Sequence, residues 1–141
     1  MILGFTGTRS GLAVPQRKAL ARWLMEAGRP AECRHGDCTG ADEQFHSLVL
    51  GLFQGLAVVG HPPDRPGLRA FCSFAREEAE LPYLERNRAI ARCCDVLLAC
   101  PKEMEEIRRS GTWSCVREGR RRGKRIVLVL PDGSVEEEAA R

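Results

Sequence analysis

"DVLLACPKEMEEIRRSGTWSCVREGRRRGKRIVLVLP", residues 95–131, decides the fold. It opens on a continuous apolar run, "DVLLACP", crosses a polar excursion, "KEMEEIRRS", and starts a helix at the Gly-Thr turn Gly111-Thr112. The helix stops at Gly123, and a second apolar run, "RIVLVLP", follows. Runs without polar alternation suit strands covered on both faces. A strand, a helix and a second strand of that kind predict a right-handed crossover in a parallel sheet.

The same grammar extends toward the N-terminus. "MILGF" reads as a strand ending in the loop "TGTRSG", and Pro15 opens the next helix as a first-turn proline. Leu20, Trp23, Leu24 and Ala27 fall on one face of that helix, and Gly28 stops it. "AECRHG" is a weaker strand, followed by the loop "HGDCTGAD" and a helix with Phe45, Leu48, Val49 and Leu52 at helical spacing. "GLAVVGHP" is a third strand. The segment 62–81 reads as a loop with a short helix around "FCSFAREEAE", and "PYLERNRAIARCC" as a longer helix. Five strands alternating with four helices predict a doubly wound α/β domain with a mostly parallel five-stranded sheet and helices on both faces. Residues 1–131 are expected to form this single domain, and 132–141 a loose acidic tail.

Composition bounds the function. The chain has 141 residues, 43% of them hydrophobic and 29% charged, with a formal net charge of +3. No apolar run approaches the roughly 20 residues of a membrane span, and the N-terminus lacks the pattern of a signal peptide. Seven cysteines (Cys33, Cys38, Cys72, Cys93, Cys94, Cys100 and Cys115) include no CxxC pair, so buried thiols in a reducing cytoplasm are expected rather than a disulfide framework or a zinc knuckle. "REGRRRGKR" concentrates positive charge between Arg117 and Arg125, as a solvated helix face or as a phosphate or DNA contact.

Ligands of such sheets sit beyond the carboxyl ends of the strands. Three loops there share one character: "TGTRSG", "GDCTGAD" and "SGTW", each leading into a helix. Helix starts leave amides unpaired and carry partial positive charge, and glycine lets an anion approach them. The candidate contacts are Gly7, Thr8, Arg9 and Ser10; Gly36, Asp37, Thr39, Gly40 and Asp42; and Ser110, Gly111, Thr112 and Trp113. Gly7, Thr8, Gly111 and Thr112 offer backbone amides to phosphate. Arg9 offers a charged fork. Asp37 or Asp42 accepts from ribose hydroxyls, unless Asp42 merely complements its helix dipole. Trp113 packs in the core or presents its face to a base. There is no Walker-type loop, no GxGxxG after the first strand and no GxSxG elbow. His35 and Asp37 have no third ligand at a supporting spacing, so neither a metal nor a cofactor is expected. His46 and His61 read as surface or helix histidines.

"GFTGTRSG", "HGDCTGAD", "ERNRAIARCCDVLLACP" and "SGTW…GRRRGKRIVLVLP" resemble, in order, the blocks of the SLOG superfamily, over about residues 2–131. That group holds the LOG phosphoribohydrolases, the DNA-processing protein DprA and the small YspA/YpsA-like proteins, to which the likeness is greatest. The resemblance implies a Rossmann-like sheet that binds a nucleotide or nucleotide-derived ligand. It places the catalytic arginine of the LOG hydrolases at Arg86 in "ERN", with Asn87 and Arg88 beside it. The second LOG motif departs: Cys115 stands where its glutamate would be, and residues 102–110 replace its PGG part. Glu118 and Glu85 are the nearest substitutes in sequence. The resemblance leaves an N-glycosidase acting on nucleoside 5′-monophosphates as the alternative function. Single-stranded DNA binding through Arg120, Arg121 and Arg122 is a less favoured one. A homodimer is implied by analogy.

Overall fold

In the computed structural model, which describes residues 1–141, the alternation of apolar runs and helical periods becomes one sheet between two helical layers. The strands are β1 (Ile2–Gly7), β2 (Glu32–His35), β3 (Val58–Gly60), β4 (Arg76–Glu77), β5 (Val96–Cys100), β6 (Arg125–Val129) and β7 (Val135–Glu138). The helices are α1 (Val14–Ala27), α2 (Ala41–Leu52), α3 (Tyr83–Cys93) and α4 (Gly111–Arg121). The spatial order is β4-β3-β2-β1-β5-β6-β7, with every pair parallel except β6 and β7. The sheet therefore has seven strands rather than five. The two additions are the two-residue β4 and the antiparallel β7.

Alternate residues of the central strands face opposite layers. Leu3, Phe5, Leu98 and Val127 pack with Leu20, Trp23 and Leu24 of α1 and Phe45 and Val49 of α2. Leu97, Ala99, Ile126 and Leu128 pack with Ile90 of α3 and Trp113 and Val116 of α4. Ala27, in the last turn of α1, stays exposed. Gln16 is buried in α1, where its Nε2 donates to the carbonyls of Pro101 and Val129 at 2.8 Å each. It ties the helix to the ends of β5 and β6.

Two expectations are corrected. No helix forms around residues 71–80. Phe74 instead lies over Gly60, where a Cβ would stand 2.6 Å from its ring, and the chain stays extended into β4. Nor is the tail loose: Val135–Glu138 pairs along β6 from Val129 to Ile126. Glu137 accepts from Trp23 Nε1 at 2.9 Å, and Glu138 takes a two-pronged contact from Arg120 at 2.9 and 2.8 Å. No helix is long and apolar enough to cross a membrane.

Chain order runs outward from β1 to β4 and then returns to the other side of β1 as β5. The loops leaving β1 and β5 diverge at this reversal and open a crevice above it.

Candidate functional site

A cavity of about 520 Å³ occupies that crevice, within the usual range for small-molecule sites. Its floor is the end of β1, from Phe5 to Thr8, with Ile90 of α3. One wall is the β2–α2 loop, through Gly36, Cys38 and Asp42. The other is the start of α4, through Ser110, Gly111 and Thr112. Arg86 and Asn87 enter from α3, and Tyr83, Lys102, Glu103, Arg108 and Arg109 stand around the mouth with Arg9.

The α4 start presents backbone donors to the cavity. Ser110 caps the helix by accepting from Trp113 N–H at 3.2 Å, and its carbonyl accepts from Ser114 N–H. The amides of Gly111 and Thr112 are the first-turn donors left over. Asn87 Nδ2 donates to the Gly111 carbonyl at 3.3 Å and so fixes α4 against α3.

Across the cavity, Arg86 is 7% exposed. Its Nη1 donates to the Gly36 carbonyl at 3.2 Å and contacts Cys38 Sγ at 3.0 Å, while its buried Nε has no partner. Asp42 is also buried and accepts from Cys38 N–H through Oδ2 at 3.1 Å. Burial pushes its carboxyl up from 3.8 to about 6, against the backbone donors and Arg86 that pull it down. A Cβ on Gly36 would lie 3.1 Å from Asp42 Oδ2 and 3.3 Å from Arg86 Nε. Glycine thus leaves a notch within hydrogen-bond reach of a buried carboxylate and an unpartnered guanidinium N–H.

Not all expected contacts meet here. Gly7, Thr8, Arg9, Gly36, Asp42, Arg86, Asn87, Ser110, Gly111 and Thr112 line the cavity, whereas Ser10, Asp37, Thr39, Gly40, Arg88 and Trp113 do not. Ser10 completes a local turn with Thr8. Asp37 is fully buried and holds the 69–72 loop, accepting from Arg69 Nε at 2.6 Å and Cys72 N–H at 3.0 Å. It has no free face for a ribose. Thr39 donates its amide to Leu68. Gly40 has φ 92°, and a Cβ there would meet the Arg9 carbonyl at 2.3 Å, so its role is close backbone approach. Arg88 is exposed and pairs with Glu118. Trp113 lies in the core, with Nε1 donating to Glu103 at 3.1 Å.

The three helix starts therefore do not contribute equally. α1 begins four residues beyond the cavity loop's Ser10, and Ala13 N–H is capped by Gln16. The first amide of α2 donates to the Thr8 carbonyl, and Asp42 brings its own negative charge to that helix end. Only the start of α4 faces the cavity with free amides.

Cys115 is fully buried, and burial holds its thiol up at about 12. It stays neutral and cannot replace a carboxylate. Glu118 pairs with Arg88, Arg121 and Arg122, and neither it nor Glu85 lines the cavity. The carboxylates that do are Asp42 and Glu103. Reading by motif missed Tyr83, Lys102, Glu103, Arg108 and Arg109, which carry no local signature.

His46 lies on α2, as a helix histidine, but both it and His61 are buried rather than on the surface. Ligand atoms of His35, His46 and Cys72 lie within 4.8 Å of one another. Proton bookkeeping argues against a metal there. Asp37 N–H donates to His35 Nδ1 at 3.0 Å, so Nε2 carries the proton and donates to His46 Nδ1 at 2.9 Å. Holding a metal on His35 Nε2 would break this chain.

No protein-family model matches the chain, and no curated protein matches it. The X-ray structure of TM1055, a structural-genomics target, is similar with a TM-score of 0.64 and 20% sequence identity, over 91% of this chain and 73% of that one. At that identity the likeness shows the Rossmann-like fold alone.

Proposed function

We propose that this protein binds a nucleotide or nucleotide-derived ligand in the crevice between β1 and β5, with a phosphate on the start of α4. The observation that carries this reading is the pair of opposed features in one cavity. The Gly111 and Thr112 amides stand on one side, and the unpartnered Nε of buried Arg86 on the other. A phosphate satisfies the helix end, and a ribose hydroxyl in the Gly36 notch accepts from Arg86 and donates to Asp42. Tyr83, half exposed at the mouth, takes the place of Trp113 as the aromatic surface for a base. The resemblance of the sequence blocks to the SLOG superfamily supports the same ligand class. Calorimetric titration with AMP, GMP and CMP tests it. Binding that Arg86→Ala abolishes is expected, and no heat with any nucleotide refutes it.

The notch also favours a second reading, hydrolysis of the N-glycosidic bond. A water seated there is placed to lose a proton to Asp42 as its oxygen bonds C1′, the C1′–N bond breaks, and the base departs with the electrons and takes up a proton. A carboxyl at about 6 is ionised at neutral pH yet basic enough for this role. Free base released from AMP by the wild type but not by Asp42→Asn supports it. Intact AMP after prolonged incubation refutes it.

The DNA reading loses its main support. Arg120 is held by Glu106 and Glu138, and Arg121 and Arg122 by Glu118, so the basic run is largely paired within the protein.

A further inference from the structure

We infer that the segment 102–110 between β5 and α4 forms a second anion seat, and that the ligand carries two linked phosphates, as a nucleoside diphosphate does. This rests on the nucleotide reading above and sharpens it. Five cationic side chains line the cavity, Arg9, Arg86, Lys102, Arg108 and Arg109, against the carboxylates of Asp42 and Glu103. The α4 amides receive one phosphate, and Arg86 across the cavity serves the ribose. Arg9, Lys102, Arg108 and Arg109 remain, and none of them enters any ion pair of the protein. The basic run of α4 is matched by glutamates, whereas these four cations are gathered around one opening without a matching acid.

The segment is also braced from behind. Arg117 Nη1 donates to Glu106 at 3.0 Å and to the Ile107 carbonyl at 3.2 Å, and its Nη2 to the Arg108 carbonyl at 3.0 Å. Arg120 holds the other Glu106 oxygen at 2.6 Å, and Trp113 Nε1 holds Glu103 at 3.1 Å. The acid nearest to Arg108 and Arg109 in sequence, Glu106, is thus bound on the far side by Arg117 and Arg120. The backbone at 106–108 is fixed, while Arg108 and Arg109, both exposed, line the cavity with side chains that enter no hydrogen bond or ion pair. Guanidinium forks on a held backbone recognise phosphate oxygens in pairs. A single phosphate on α4 would leave them unmatched, and a second phosphate joined to the first would not.

Titration of the full chain at low salt with AMP, ADP, inorganic phosphate and pyrophosphate tests this, on the wild type and on the double variant R108A/R109A. Both residues are exposed and neither side chain enters a hydrogen bond or ion pair, so an unchanged thermal melt is expected of the variant. ADP should bind the wild type about tenfold tighter than AMP or better, the worth of one charge-assisted hydrogen bond. Pyrophosphate should exceed phosphate likewise. The double variant should reduce both ratios to within about twofold, through a larger loss for ADP and pyrophosphate than for AMP and phosphate, and added salt should shrink the wild-type ratios. Equal affinity for AMP and ADP, or an ADP preference that survives in the double variant, overturns the inference and leaves the nucleotide reading intact. Pyrophosphate binding that depends on Arg108 and Arg109, without any nucleotide binding, upholds the two-phosphate seat and removes the nucleotide reading. Binding of none of the four removes both.

Discussion

Asp42→Asn should make the protein more stable and less able to bind. In the folded chain the Asp42 carboxyl rises from 3.8 to about 6 because burial penalises the ionised form more than its donors favour it. A rise of roughly two pH units corresponds to about 3 kcal/mol carried by the ionised carboxylate at pH 8. The sign follows from linkage. The native state holds the proton more tightly than the unfolded chain, so the penalty is full above the native value. It fades as pH falls through about 6 toward 4. Asparagine is neutral and nearly isosteric, and its Oδ1 can still accept from Cys38 N–H. Its amide adds a buried donor that lacks a sure partner, which offsets about 1 kcal/mol. A net gain of about 2 kcal/mol near pH 8 is therefore expected, shrinking toward zero near pH 4. Urea unfolding followed by tryptophan fluorescence at the two pH values measures it. A variant no more stable than wild type at pH 8, or one whose gain is the same at pH 4, would refute the reasoning. The stabilised variant should bind AMP more weakly, as expected where a strained charge is kept for function.

Three further outcomes are expected. Burial lowers all three histidines, His61 to about 4 from 6.5, so the unfolded chain binds protons that the native state refuses. Their stability is complete above about 6.5 and drains as pH falls toward 4. The fall should be steeper in Asp42→Asn, which lacks the opposing carboxyl, as pH-resolved urea midpoints will reveal. Gly40→Ala should lose more than about 3 kcal/mol, since φ 92° strains alanine and its Cβ would press on the Arg9 carbonyl; thermal melts check this. In native protein a thiol reagent should label Cys93 first, Cys72 more slowly because burial and Asp37 push its thiol up to about 12, and the other five cysteines only after unfolding, as mass spectrometry will show.

The apolar runs of β1, β5 and β6 and the stop at Gly28 are local signals, and the sheet they imply is the one that forms. What escaped depends on partners far along the chain. Residues 71–80 have helical composition, yet Phe74 fills the space that Gly60 leaves and Asp37 hooks Cys72 N–H. The glutamates of β7 look like a solvated tail until Trp23, Arg125 and Arg120 are seen opposite them. At the site, the Gly-Thr start of α4 was legible because a helix end declares its own chemistry. Asp37 misled because an aspartate in a glycine-rich loop serves a ribose or an arginine equally well, and Arg69 lies 32 residues away. Arg108 and Arg109 were silent because nothing in an aperiodic stretch says which way it is braced.

The placement of β7 bears on how the molecule behaves at high concentration. β6 is a five-residue strand, four of whose residues are fully apolar and buried. Left as the border of the sheet, it would hold out bare amides and carbonyls to the same strand of another copy. The C-terminal residues occupy that row and trim it with glutamates, which repel a second such border. At the opposite margin the sheet stops at β4, two charged and exposed residues long. Both flanks are thereby closed to strand-by-strand growth, and the parallel sheet can be built from strongly apolar strands without becoming a seed for fibrils.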